Sequence, residues 1–141
     1  GVEPFLVSST VEAVMAQRLV RTLCSHCRQT YRPNREDLPD DFPFDRLKEG
    51  PEMFRAVGCK ECRQVGYRGR VGLYELLITT DEIRQISHDR ASSWAIKEKA
   101  LQQGMRTLRQ SGWEKVLAGR TTIDEIVRVT KGNDIIGHAR V

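Results

Sequence analysis

The chain has 141 residues, a formal net charge of +4 and four cysteines. This length suits one domain or two small lobes, because domains usually contain roughly 100–150 residues. With 39% hydrophobic and 30% charged residues, the chain has enough apolar content for a core, which excludes global disorder. No run approaches the roughly 18–20 apolar residues of a membrane span, and no signal peptide is expected. The mild basic excess permits acidic partners without requiring them.

Residues 1–23 predict a short strand followed by a helix. The apolar run Phe5–Val7 is typical of a buried strand. Residues 9–12 match a capping box, and apolar residues then recur at helical spacing as far as Val20. A strand needs neighbours with which to pair, and none is evident before the first cysteine. We therefore expect residues 1–23 to be the end of a larger sheet domain.

The four cysteines form two C-x2-C pairs, Cys24 with Cys27 and Cys59 with Cys62. Two residues between thiolates allow one tight turn to present both sulfurs to a single ion. Two such turns complete the tetrahedral shell that Zn²⁺ prefers, and the filled shell is typical of a structural site. The spacing therefore predicts one structural zinc ion with these four cysteines as its ligands.

Other interpretations of the cysteines remain open at this point. Two disulfides would suit a secreted or redox protein, and four free buried thiols would leave the paired spacing unexplained. His26 lies within the first pair and could replace one cysteine as a ligand. Arg21, Arg28, Lys60 and Arg63 would offset the negative charge of a zinc–thiolate centre, or are solvated surface charges.

The segment between the pairs, residues 28–58, predicts one or two short helices and irregular loop, because four prolines interrupt it. A metal at its base would hold this small sub-domain together. Its sizeable apolar residues are Phe42, Phe44, Leu47, Met53 and Phe54. Large apolar residues favour a small core, although the phenylalanines also suit a docking surface.

After the second pair, the run Val71–Ile78 predicts a strand. Four short helices then follow, with start or stop signals at residues 79–82, 93–104, 107–119 and 122–132. Short turns between them predict a compact helical lobe. Residues 133–141 are expected to be loose, or to dock through two adjacent isoleucines.

Complete catalytic motifs are absent from the sequence. There is no phosphate-binding G-x-x-x-x-G-K-[ST], no G-x-G-x-x-G and no H-E-x-x-H. Gly66, Gly69 and Gly72, with Arg68 and Arg70 between them, suit a tight turn or a backbone phosphate site. We therefore expect no catalytic residues and no nucleotide-binding residues in this chain.

Several segments together resemble the C-terminal region of the secretion ATPases, both the type II secretion and the type IV pilus assembly proteins. Taken singly each segment is weak evidence, but their order and spacing are specific. The segments are Gly1–Ser9, Gln17–Cys24, the second C-x2-C pair, Gly66–Arg70, Tyr74–Leu77, Gly104–Leu108 and Gly119–Thr122.

The resemblance implies a cytoplasmic, hexameric ATPase of the RecA-like motor class. Such a motor works at the inner face of the bacterial inner membrane, attached peripherally through inner-membrane components of the secretion or pilus machine. It also implies that the Walker motifs precede the matching region. ATP and Mg²⁺ would then bind only in the full-length parent, and this chain alone would be inactive.

The combined expectation is a mixed α/β, mostly helical fold. Residues 1–23 would be the last strand and helix of a RecA-like domain, 24–65 a Cys₄ zinc sub-domain, 66–132 a strand with a C-terminal helical lobe, and 133–141 a flexible tail. The alternative is a zinc-dependent nucleic-acid-binding module. The dispersed basic residues and the 6% aromatic content disfavour it, so no nucleic acid is expected as a partner.

Overall fold

The computed structural model describes residues 1–47 and 53–130. Within them the fold is mixed α/β, as the sequence predicts. The helices and strands, in chain order, are α1 (Pro4–Thr10), β1 (Ala13–Leu23), β2 (Gln29–Tyr31), β3 (Met53–Arg55), β4 (Tyr67–Ile78), α2 (Asp81–His88), α3 (Ser93–Gln102), α4 (Leu108–Leu117) and α5 (Ile123–Thr130). Short 3-10 turns lie at Arg35–Asp37, Phe44–Leu47 and Lys60–Cys62.

A long antiparallel ribbon of β1 and β4 organises the described residues. Its register runs from the pair Ala13 and Ile78 to the pair Leu23 and Tyr67, with one irregularity near the second end. The strand predicted at Val71–Ile78 is confirmed as part of β4. At the second end the chain leaves β1 and returns to β4, so the segment between the strands begins and ends at one place.

The predicted strand and helix at the start of the chain are both wrong. Phe5–Val7 lies inside helix α1, where these side chains are exposed. The predicted helix is strand β1. The capping box also fails, because the hydroxyls of Ser9 and Thr10 donate to the carbonyl of Leu6 inside α1. Residues 1–23 were expected to be the end of a larger sheet domain because a strand at Phe5–Val7 would lack a partner. Since Phe5–Val7 is helical, this argument no longer applies.

Apolar residues on both faces of β1 explain the error. Val20 is buried and Ala16 packs against the core, whereas Met15 and Leu19 point to the exposed face. Together these apolar residues recur at intervals that are typical of a helix, which is why the sequence predicted one here. Pairing with β4 decides the conformation, because an isolated segment with this pattern does not distinguish the two periods.

The segment between the cysteine pairs agrees in part with the prediction. Its 3-10 turns correspond to the predicted short helices, but the small β2–β3 ladder was not predicted. Phe42 and Met53 are buried in the core, and Phe44 and Leu47 pack against it. These residues are therefore core residues, but they belong to the core shared with the ribbon, α4 and α5 and not to a separate small lobe. The rings of Phe42 and Trp113 pack edge to face, with their centroids 5.3 Å apart.

The four C-terminal helices are confirmed. Three begin at hydroxyl caps, where the oxygens of Thr80, Ser92 and Thr107 accept from the amide three residues later. Of these caps, only Thr80 lies within a predicted capping box, that of residues 79–82. The expected end of the last helix and the tail at 133–141 lie outside the described residues.

One hydrophobic core extends across the predicted domain boundaries. Strands β1 and β4, the segment between the cysteine pairs, and helices α4 and α5 all contribute to it. Its buried members are Val20, Phe42, Met53, Leu73, Leu108, Trp113, Val116, Leu117 and Ile126. The domain boundaries and the RecA-like assignment stay predictions.

Gly112→Ala should destabilise the fold. A Cβ at this position would lie 2.6 Å from Cγ2 of Ile126, so α4 and α5 would be forced apart. Overpacking of this kind costs about 1–3 kcal/mol, which exceeds the gain of roughly 1 kcal/mol in helix propensity. Urea unfolding followed by tryptophan fluorescence measures the loss. In an Ile126→Ala background the same substitution should cost nothing, and an unchanged cost there would contradict the packing argument.

Candidate metal centre

The end of the β1–β4 ribbon brings the two cysteine pairs together. Cys24 directly follows β1, and its amide donates to the carbonyl of Gly66, which precedes β4, at 3.0 Å. Cys27 closes the first turn, since its amide donates to the Cys24 carbonyl. Cys59 and Cys62 lie on the second turn, around the 3-10 helix Lys60–Cys62. Local turns thus place two sulfurs each, and the ribbon places the turns side by side.

The four sulfurs lie within 4.8 Å of one another. Three separations are short: 3.9 Å between Cys24 and Cys59, and 3.8 Å from Cys62 to both Cys27 and Cys59. Zn–S bonds of about 2.3 Å in a tetrahedron place sulfurs about 3.8 Å apart, so the cluster has the dimensions of a zinc–thiolate shell. All four cysteines are free. The cluster could therefore hold one metal ion.

Backbone amides around the cluster favour thiolates. Gly58 donates to the sulfur of Cys27 at 3.3 Å, and Cys59 and Gly66 each donate to that of Cys62 at 3.2 Å. Gly66 has a φ of +81°, and a Cβ there would lie 2.8 Å from the Cβ of Ala56. A larger residue would disturb this donor, since positive φ and close approach both favour glycine.

The thiol pKa values show why a cation suits the cluster. Burial raises the pKa of Cys62, but hydrogen bonds from the amides of Cys59 and Gly66 outweigh it and lower that pKa to about 6. Burial raises the pKa of Cys27 to about 11, although its bond from Gly58 opposes the change. Four clustered thiols cannot all ionise at neutral pH, because the negative thiolates would repel one another. A bound divalent cation would neutralise this charge.

Two other residues that the sequence suggested for the metal centre, His26 and Arg28, lie outside the group of four ligands. His26 is exposed and is not one of the four clustered ligands. Arg28 donates to the carbonyl of Gly119 at 2.6 Å and stacks over Phe54. It therefore fastens the first cysteine turn to the connection between α4 and α5.

The sequence patterns miss a buried carboxylate beside the cluster. Glu125 of α5 is 1% exposed and accepts hydrogen bonds from the backbone and guanidinium of Arg21 at 2.7–3.0 Å, and from Arg128 at 2.8 Å. Arg21 lies over the ring of Tyr67, whose hydroxyl is 2.9 Å from that of Thr122. This network joins α5 to the end of β1, just before the first cysteine.

Glu125 belongs to a recognisable sequence pattern, but that pattern predicts the wrong hydrogen-bond partner for its carboxylate. Residues 122–125 match a capping box, and the Thr122 hydroxyl does accept from the Glu125 amide at 3.3 Å. The Glu125 carboxylate instead reaches Arg21, which no local pattern indicates. Burial would raise the pKa of Glu125, but hydrogen bonds from Arg128 and Arg21 lower it to about 2.

Comparison with known proteins gives a consistent family. The model of the family described as "Type II/IV secretion system protein" matches residues 1–128. The chain is similar to the type II secretion system ATPase E of Vibrio cholerae, with 42% identity over 93% of this chain and 25% of that protein. The type II secretion system protein E of Dickeya dadantii is 45% identical over 93% of this chain and 25% of its own length.

A pilus protein is similarly close. The type IV pilus assembly ATPase PilB of Thermus thermophilus is 39% identical over 92% of this chain and 15% of its own length. The chain thus spans about a quarter of the length of these two type II secretion relatives, and a smaller part of the pilus protein. Among the described residues, none of the helices is long and apolar enough to cross a bilayer.

Glu125→Gln should remove a pH-dependent part of the stability. The folded pKa of about 2 lies below the ordinary 4.5, so the carboxylate stabilises the fold fully above pH 4.5 and loses this effect as the pH falls towards 2. The difference in unfolding free energy from the wild type should be about 3 kcal/mol at pH 6. Urea unfolding at a series of pH values measures it.

The neighbouring exposed carboxylate provides the control. Asp124→Asn should follow the wild-type pH dependence between pH 6 and 3. If the gap between wild type and Glu125→Gln stayed constant over the same range, the ion-pair network would not be the source of the stabilisation.

Proposed function

Because the chain belongs to the type II/IV secretion system protein family, we propose that it is the zinc-bearing C-terminal part of an ATPase that powers type II secretion or type IV pilus assembly. The match over residues 1–128 supports the parent's class. Relatives of both kinds have similar identity, so the proposal covers both machines.

The zinc assignment is carried by the spacing of the sulfurs. Cys24, Cys27, Cys59 and Cys62 would each supply one thiolate, which leaves no open position for substrate or water. The bound ion would therefore supply structural stabilisation, not catalysis. The amides of Gly58 and Gly66, by donating to Cys27 and Cys62, would orient these ligands and stabilise their negative charge.

The position of the cluster indicates what the ion stabilises. It would close residues 24–62 at their base, at the ribbon end where Glu125 and Arg28 attach α5 and the preceding turn. The same segment contributes Phe42 and Met53 to the core. Metal binding would thus support the helical lobe as well as the cysteine turns.

The remaining parts of the proposal concern the parent. Nucleotide and Mg²⁺ would bind outside these 141 residues, because the sequence has no P-loop. The parent would form a hexamer at the cytoplasmic face of the inner membrane and act through inner-membrane components of the machine. The chain would contribute a rigid, metal-held attachment to that motor.

Metal analysis tests the zinc assignment. Protein purified without added metal should contain about one zinc per chain, whereas Cys24→Ser should contain almost none. In small modules, structural zinc contributes about 10–16 kcal/mol of apparent binding free energy, so hydrogen exchange in residues 24–62 should rise first in that variant.

Ser25→Ala is the matched control, since Ser25 is exposed on the same turn and contributes no sulfur. It should retain zinc and exchange protection. Zinc-free wild-type protein, or disulfides between the cysteines, would refute the assignment.

An ATP hydrolysis assay tests the proposal that the nucleotide site lies outside this chain. The purified 141-residue chain should release phosphate from ATP at the rate of the buffer alone, because it has no phosphate-binding loop. A phosphate-release assay with and without Mg²⁺ measures this. Sustained turnover that survives repeated purification would place a nucleotide site within these residues and contradict the proposal.

A further inference from the structure

A groove lies between α5 and the segment that links the cysteine pairs, on a surface that the proposed function does not use. We call it the α5 groove. It has a volume of about 460 Å³, within the size range of protein ligand sites. One wall comes from residues 36–39, at the 3-10 turn that follows β2, and the other from residues 123–128 of α5. The segment between the cysteine pairs and helix α5 therefore form it together.

The interior of the α5 groove is apolar. Leu38 and Pro39 line one wall, and Ile123 and Val127, one turn apart on the same helix face, line the other. All four residues are only partly buried. An apolar strip at the edge of the core thus remains accessible and could receive apolar side chains from another molecule.

The rim of the α5 groove is acidic, in a chain whose net charge is positive. It carries Glu36, Asp37 and Asp124. Within the described part of the chain, neither Glu36 nor Asp124 forms an ion pair. The adjacent cation, Arg128, is already paired with the buried Glu125 at 2.8 Å. The groove therefore presents negative charge that this surface does not neutralise.

A nearby tyrosine responds to this charge. Burial raises the pKa of Tyr31, and the negative charges of Asp124 and Asp37 raise it further, against the opposing effect of Arg55. The carboxylates from the two walls thus act on one region of the surface. Their combined field favours a cationic partner and disfavours nucleic acid and anionic lipid.

We propose that the α5 groove docks an amphipathic helical segment of a protein partner, with apolar anchors on one face and Lys or Arg at its flanks. Apolar anchors at i, i+3 or i+4, and i+7 are the usual way in which a helix fills such a groove. The charged rim would set orientation and association rate.

The chemistry also indicates the source of the segment. Cytoplasmic loops of membrane proteins carry an excess of Lys and Arg, so an inner-membrane subunit of the same machine fits the groove. This choice of partner rests on the proposed function. The docking chemistry itself depends only on the groove and its charges.

A designed peptide tests the proposal. The probe is a 16-residue, end-capped, Ala-based helix with three leucines on one face and Lys at both flanks, labelled for fluorescence anisotropy and titrated with the full chain. The double variant Glu36→Gln/Asp124→Asn should weaken binding about fivefold, because two partly exposed ion pairs are lost. Raising the salt concentration should reduce this difference.

Asp81→Asn/Glu98→Gln removes the same two charges from α2 and α3 and should leave binding unchanged. A peptide with serine in place of leucine should lose at least tenfold. Equal affinity of the two double variants, or full binding by the serine peptide, would overturn the proposal. So would tenfold tighter binding by a chain truncated after Thr130, because the groove would then belong to residues 131–141.

Zinc content is measured on the same samples. A zinc-bearing chain that fails to bind the peptide would refute the docking site alone. A zinc-free chain that binds it in the charge-dependent manner would refute the proposed zinc function and leave the docking site intact.

Discussion

The antiparallel pairing of β1 with β4 is the constraint on which the rest of the structure depends. With Leu23 opposite Tyr67, the residues just beyond the strands, Cys24 and Gly66, are joined by a backbone hydrogen bond. The ribbon end therefore holds both cysteine turns. The same ribbon buries Val20 and Leu73 against α4 and α5. A single ladder thus determines where the sulfurs meet and where α4 and α5 pack.

Polar contacts then connect the cluster to the lobe. A buried carboxylate needs charged hydrogen-bond partners, since an isolated ionised group is expensive to bury. Glu125 meets this need with Arg21 and Arg128, and so holds α5 against the end of β1. Arg28 makes a second connection, from the first cysteine turn to the carbonyl of Gly119. Residues around the cysteines therefore have structural partners of their own.

The segment between the cysteine pairs is fastened at two places. Its base is at the ribbon end, and its middle packs into the core through Phe42 and Met53. Asp41 adds polar contacts, accepting from Arg109 at 2.7 Å and from the indole of Trp113 at 2.9 Å. An ion at the base would thus stabilise a segment that also buries part of α4. Because this segment packs against the C-terminal helices, it can form one wall of the α5 groove while α5 forms the other.

Local signals predicted the parts of the fold that local chemistry controls. The capping signals at 79–82 and 122–125 mark helix starts because the hydroxyls of Thr80 and Thr122 each accept from an amide three residues away. The C-x2-C spacing predicted the four clustered residues for a similar reason, since each turn is local. The N-terminal helix and strand were predicted in the wrong order, because the apolar residues of β1 fit both periods and distant pairing made the choice.

The sequence by itself therefore determined the mixed α/β class, the four C-terminal helices, the four cysteines that cluster and the family. Tertiary structure alone decided that residues 13–23 form a strand, that Glu125 is buried against Arg21, and that an acidic groove lies beside α5. The physical reason is the range of the interactions. Caps and turns act over three or four residues, whereas ladder pairing, charge burial and groove walls join segments that are far apart in the chain.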